Sequence, residues 1–270
     1  GKIALISGEV EVSYSQLWNS CLKAACKLQS TYHLHKGDRI ILSAAGNLEF
    51  AYVYFGVHLS GGICVPIDPD TNETRYKCIK DSTNPVCVIG DLHKVEAEET
   101  IPFERVVGAI LSQAQNDGAQ KGTQKDTQKG TRENIQFPTM TDVADILFTT
   151  GTTGAPKGVA LTYWNLAAAV RNINGFIGNT SDDIELLALP VSHSFGLGRL
   201  RCSLAKGATV VMLGTFANVK KFFAEMKRCN VTMFAMVPAS WGFIKKMSGK
   251  YIGKFADQLK YIEIGSSFMP

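Results

Sequence analysis

The seven cysteines include no CxxC pair and stand singly at positions 21, 26, 64, 78, 87, 202 and 229. An odd count at scattered spacing excludes a secreted disulfide framework, and the five histidines supply no ligand cluster of zinc-site spacing. We therefore expect reduced thiols, no metal ligands and a cytoplasmic location. No apolar run approaches the roughly 20 residues that span a bilayer. The opening GKIALISGEVEVSY lacks the basic and unbroken apolar regions of a signal peptide, so no integral membrane segment is expected. Charge of one sign is also missing: 28 basic residues against 24 acidic leave +4, spread along the chain, and nothing nominates nucleic acid as a partner.

What is present is an ordinary globular composition, 270 residues with 45% hydrophobic side chains, enough to bury a substantial core. Apolar positions recur at helical spacing from Ser15 to Gln29, Phe50 to Ser60, Glu73 to Lys80, Asn165 to Asn174, Val219 to Cys229 and Ala239 to Met247, with a shorter helix over Leu200 to Leu204. Short buried runs lie between them: Arg39–Ser43, Ile63–Ile67, Val86–Ile89, Asp145–Thr149, Ile184–Leu189, Thr209–Leu213, Thr232–Val237 and Leu259–Ile264. Strands alternating with helices predict an α/β fold of two stacked, parallel-rich sheets with flanking helices.

Between Leu111 and Phe137 the pattern dissolves, and Gln120 to Thr131 reads as three tandem tetrapeptides, QKGT, QKDT and QKGT. So little apolar content predicts a disordered insertion. We expect a first α/β subdomain over 1–110, the insertion over 111–138 and a second α/β subdomain over 139–270. Gly1 in place of methionine, and an end at Pro270 just after a strand, read as a trimmed chain.

The densest chemistry is TTGTTGAPKG, residues 149–158, directly after the strand through Asp145-Ile146-Leu147-Phe148. Gly151, Gly154 and Gly158 let backbone turn tightly and approach a ligand. Thr149, Thr150, Thr152 and Thr153 offer hydroxyls, and Lys157 adds a cation. This is phosphate-binding chemistry. A Walker P-loop needs glycine before its lysine and Ser or Thr after it, but here Pro156 precedes Lys157 and Gly158 follows.

TTGTTGAPKG closely resembles the phosphate loop of the adenylate-forming superfamily, and is nearest in pattern to acyl-CoA synthetases. The likeness runs along nearly the whole chain: VSYSQL at 12–17, GDR at 37–39, GGICVPIDP at 61–69, LPVSHSFG at 189–196 and VPASW at 237–241. The resemblance places His193 beside the reacting carboxylate and leaves Trp241 as either an acyl-tunnel contact or a core side chain. IGSSFMP at 264–270 is similar to the family's turn near adenine and acyl group, so Gly265 and Ser267 join the candidates, although Ser266, Ser267 and Phe268 depart from that pattern.

The resemblance implies attack of a carboxylate on the α-phosphorus of Mg2+-bound ATP, giving an acyl-AMP that is passed to coenzyme A or a pantetheine thiol, including that of an acyl carrier protein. In that reading Thr149, Thr150, Gly151, Thr152, Thr153, Gly154 and Lys157 hold the β and γ phosphates. Pro190 to Gly198 contains no carboxylate to pair with an α-amino group, so a fatty or aryl acid is expected over an amino acid. The family's ribose anchor, magnesium glutamate and catalytic lysine have no match before Pro270. No catalytic residue is therefore expected within this stretch, which alone should be inactive. Left open are a non-catalytic nucleotide- or acyl-binding module, an amino-acid adenylation domain, and a luciferase-like or carboxylate-reducing fusion.

Overall fold

A computed structural model of the chain describes residues 1–96, 100–108, 137–149 and 156–266. The strands among them are β1 (Ile3–Ser7), β2 (Val10–Ser13), β3 (Arg39–Ser43), β4 (Ile63–Ile67), β5 (Cys87–Ile89), β6 (Thr100–Ile101), β7 (Val143–Thr149), β8 (Lys157–Thr162), β9 (Ile184–Leu187), β10 (Thr209–Met212), β11 (Met233–Met236) and β12 (Tyr261–Ile264). The helices are α1 (Tyr14–Tyr32), α2 (Leu48–Leu59), α3 (Glu73–Thr83), α4 (Tyr163–Ile177), α5 (Ser194–Ala205), α6 (Val219–Arg228) and α7 (Pro238–Ser248), with further helical residues at 103–108.

Two six-stranded sheets result, ordered β12-β11-β9-β10-β1-β2 and β6-β5-β3-β4-β7-β8. Each is parallel except at one end, where β2 runs antiparallel to β1 and β8 to β7. This is the expected α/β class, since buried parallel strands read as continuous apolar runs such as RIILS and TVVM.

Contacts divide the chain into one unit of Gly1–Tyr14 with Ala168–Pro270 and another of Ser15–Ala167. The division departs from the linear boundaries near residues 110 and 139. The hairpin β1–β2 opens the chain yet pairs with β10, and β7–β8 follows the insertion yet pairs with β4. Neither β1–β2 nor β8 is predicted from local pattern. β8 is an edge strand with its first four residues exposed, so it lacks the apolar signal of a core strand.

Capping explains several boundaries. Asn47, Asn72 and Asn218 each accept a backbone N–H from three residues on, fixing the starts of α2, α3 and α6. In α6, Phe222, Phe223 and Met226 face the core, where the Phe222 ring meets Phe216 and Phe234 with centroids 5.2 Å apart. In the other unit Ile41, Val65, Ile67, Tyr76, Ile79, Val88, Leu92 and Phe148 form one buried cluster.

Candidate active site

Three neighbouring parallel strands, β10, β9 and β11, end on the same side of their sheet, and the segments that leave them line a cleft of about 490 Å³. After β9 come Ala188, Leu189, Pro190 and His193; after β10, Gly214, Thr215, Phe216 and Ala217; after β11, Val237, Ala239, Ser240 and Phe243. The chain steps from β9 to β10 on one side, then returns to place β11 on the other. Connections therefore diverge between β9 and β11, and a crevice opens at the carboxyl ends, where open α/β sheets bind ligands. Among the described residues that line it none is Asp, Glu, Lys or Arg, and His193 is the titratable one.

Two helices start at this cleft. α5 begins after His193 and α7 after Val237, and neither has a side-chain cap, unlike the Asn-capped α2, α3 and α6. Helix starts favour negative charge. Pro238 suits the first turn of α7, where no intrahelical N–H is needed. α5 starts six residues before the predicted helix at Leu200. Gly196 and Gly198 each lower helix propensity by about 1 kcal/mol, which hid the first turn. A Cβ on Gly196 would overlap the Pro190 carbonyl oxygen, so glycine lets the helix begin directly against the cleft loop.

α5 is anchored from below by a buried ion-pair network. Arg199 donates through Nε to Glu185 Oε1 at 2.7 Å and through Nη2 to Oε2 at 2.6 Å, while Nη1 reaches Glu263 Oε2 at 2.9 Å. Ser203 Oγ donates to Glu185 Oε2 at 2.6 Å, and Arg199 also donates to the Tyr261 hydroxyl at 2.6 Å. Burial pushes the Glu185 carboxyl up, against the pull of Arg199 and Ser203. Burial likewise opposes the Arg199 charge, but Glu185 and Tyr261 hold the guanidinium above its ordinary value. The fork ties α5, and with it His193, to β9 and β12.

In the other unit, β7 and β8 form a hairpin in which Thr149 stands opposite Lys157. Both are exposed at its mouth, so a hydroxyl and an ammonium flank residues 150–156. Lys157 opens a strand rather than a helix, which separates this hairpin from a Walker loop by structure as well as by sequence. Arg75 of α3 donates to the Phe148 carbonyl at 3.1 Å and the Thr149 carbonyl at 3.4 Å, bracing the end of β7. Sequence reasoning gave Arg75 no role.

Of the residues singled out from sequence, His193 lines the cleft and Thr149 and Lys157 flank the hairpin loop. Thr150, Gly151, Thr152, Thr153, Gly154 and Ser267 lie outside the described residues, as do 109–136 of the insertion. Trp241 is half-buried with Lys245 Nζ 6.0 Å over its ring, and its neighbours Ala239, Ser240 and Phe243 line the cleft instead. Gly265 continues the β11–β12 ladder by donating to the Met236 carbonyl at 3.1 Å, and a Cβ added there would lie 3.4 Å from Phe195 Cζ. Gly214 to Ala217 were missed, because their place at the cleft depends on strand order.

Comparison with known proteins agrees with this layout. An oxalate–CoA ligase of Arabidopsis thaliana is 27% identical over 240 residues, covering 86% of this chain and 46% of that protein. A long-chain-fatty-acid–CoA ligase of Mycobacterium tuberculosis is 25% identical over 272 residues, covering 98% and 52%. The fold matches o-succinylbenzoate CoA synthetase of Bacillus subtilis with a TM-score of 0.81 at 23% identity, over 100% of this chain and 52% of that one. The chain thus spans about half the length of these relatives. The family model for AMP-binding enzymes matches residues 1–267, and the chain belongs to that family.

Proposed function

We propose that the protein takes part in ATP-dependent activation of a carboxylic acid as its acyl-AMP, followed by transfer to a thiol such as coenzyme A or carrier-protein pantetheine. A fatty or aryl acid is favoured. The observation that carries the reading is the cleft at the ends of β9, β10 and β11. Its described lining is mainly apolar, with His193 as the titratable side chain and no carboxylate among those residues to pair with a substrate ammonium. The relatives do not choose the acid, being named for substrates as unlike as oxalate and long-chain fatty acids.

ATP would supply the adenylyl group, its β and γ phosphates leaving together as pyrophosphate. The residues here fit its polyphosphate: the ammonium of Lys157 and the hydroxyl of Thr149 stand opposite each other at the mouth of the hairpin, where they offset and hydrogen-bond anionic oxygens. Mg2+ would enter with ATP, and no described residue is assigned to it. In this reading His193, exposed at the start of α5, hydrogen-bonds a substrate carboxylate while the apolar body lies against Leu189, Phe216 and Phe243. Arg199 and Glu185 keep that helix start in position.

ATP–pyrophosphate exchange by the full-length enzyme, across fatty, aryl and amino acids, tests the reading. Exchange with a fatty or aryl acid supports it. Exchange with amino acids alone overturns the acid assignment, and none with any acid points to a non-catalytic binding module.

A further inference from the structure

The unit of residues 15–167 holds a buried cluster that the activation reaction does not use. Cys64 on β4 and Asp145 on β7 are register partners on adjacent parallel strands, so their side chains leave the sheet on one face. α2 packs on β4 and brings His58 to the same place, with Nε2 2.9 Å from Asp145 Oδ1. The imidazole nitrogen, the sulfur and the carboxylate oxygen lie within 4.8 Å of one another, and all three residues are buried. Around them are orienting contacts. Tyr54 donates to the second oxygen of Asp145 at 2.9 Å, and Tyr163 donates to the His58 carbonyl at 3.1 Å with its ring edge-on to the imidazole.

We propose that His58, Cys64 and Asp145 bind a divalent transition metal, Zn2+ on the chemistry of the set. A thiolate, an imidazole and a carboxylate form a borderline-soft group that suits Zn2+, whereas Mg2+ and Ca2+ prefer oxygen alone. Metal–ligand bonds of about 2.0–2.3 Å draw the three atoms inward, and both the His58–Asp145 contact and the Cys64 S–H donation to the Tyr54 carbonyl, 3.6 Å in length, open to admit the ion. The Cys64 S–H bond breaks as the S–Zn bond forms, and one proton passes to solvent for each ion bound. With Nε2 on the metal, the His58 proton stands on Nδ1, and Tyr54 orients the ligating carboxylate from outside. The site clips α2 to β4 and β7, the strand that leads into Thr149, and its three protein ligands leave the fourth tetrahedral position to a water molecule. Zinc-site spacing in the sequence does not reveal it because its third ligand arrives through the β4–β7 pairing.

The test is a Co2+ titration of the chelator-treated protein, followed by thiolate-to-metal absorption and by Tm. One equivalent should produce the thiolate band and raise Tm, and Zn2+ should displace it. Cys64→Ser should abolish the band, His58→Gln should weaken Co2+ binding roughly hundredfold, and Tyr54→Phe, which touches no metal, about tenfold. Absence of a thiolate band in the unsubstituted protein overturns the proposal. So does a band that survives both Cys64→Ser and His58→Gln, since the ion would then sit on other cysteines. Should Cys64→Ser fail to fold, His58→Gln and Tyr54→Phe decide, with chelated-state Tm as the control for folding.

Discussion

In both sheets a central strand (β9 or β3) has its successor on one side (β10 or β4), the next two strands on the other, and an antiparallel hairpin beyond the successor. The carboxyl ends differ. Over β9, β10 and β11 the loops part and leave the cleft. Over β3 and β5 the corresponding space is filled: a Cβ on Gly90 would lie 2.5 Å from Phe103 Cε2 and 2.8 Å from Ser43 Cβ. Ser43 Oγ also ties down the Asp91 carbonyl at 2.7 Å. The hairpins diverge as well. β1 and β2 turn through Gly8-Glu9, with Gly8 at φ +56° and Ser7 opposite Val10, whereas β7 and β8 enclose residues 150–156. Topology offers a crevice and a hairpin twice, and side-chain volume and connection length decide which crevice stays open and which hairpin is tight.

The strongest way to break this comparison is to remove what holds the open side. Arg199→Met should cost about 3–5 kcal/mol in denaturant unfolding by leaving the buried Glu185 carboxylate uncompensated. Adding Glu185→Leu to it should recover much of the loss. Opening the filled side comes next: Phe103→Ala should destabilise by about 3 kcal/mol through the cavity it leaves, without altering affinity for the acid. Removing the cation from the long hairpin, Lys157→Ala, should lower ATP–pyrophosphate exchange roughly hundredfold, with Tm nearly unchanged because the side chain is exposed. Narrowing the cleft with Ala239→Phe should raise KM for the acid about tenfold and leave that for ATP in place.

The smallest effect is a pH dependence confined to the unit with the cleft. Asp183 accepts the Thr180 N–H at 2.7 Å and Lys260 Nζ at 3.0 Å. Burial works to raise its pKa, but these partners outweigh burial and hold the carboxyl below the usual aspartate range. A depressed folded-state pKa gives stability that is present above the unfolded value and lost as pH falls through the folded one. Thermal unfolding of Asp183→Asn should therefore show a deficit of about 1 kcal/mol at neutral pH that closes towards strongly acid pH. A gap that widens in acid would contradict the assignment.

Much of this layout was legible before the structure. The helices α2, α3 and α6 lie close to their predicted spans because Asn caps and apolar spacing mark them locally, and α7 because Pro238 and apolar spacing do. The motif at 149–158 announced itself by residue type alone. The hairpins were illegible for opposite reasons: β1 precedes by just over two hundred residues the strand it joins, with Leu5 opposite Val210, and β8 is exposed. Phe243 and Gly214 to Ala217 were unmarked because a cleft residue is defined by its neighbours, whereas Trp241, prominent in the sequence, lines no part of the cleft.

The sequence by itself determined the α/β class and the family, because periodicity, capping and short motifs are encoded within a few consecutive residues. Only the tertiary structure decided which hairpin completes which sheet, that the cleft opens over β9 rather than β3, and that His58, Cys64 and Asp145 meet. Those outcomes depend on strand order and on which side chains fill the space between loops, and both are settled by packing between segments far apart in the chain.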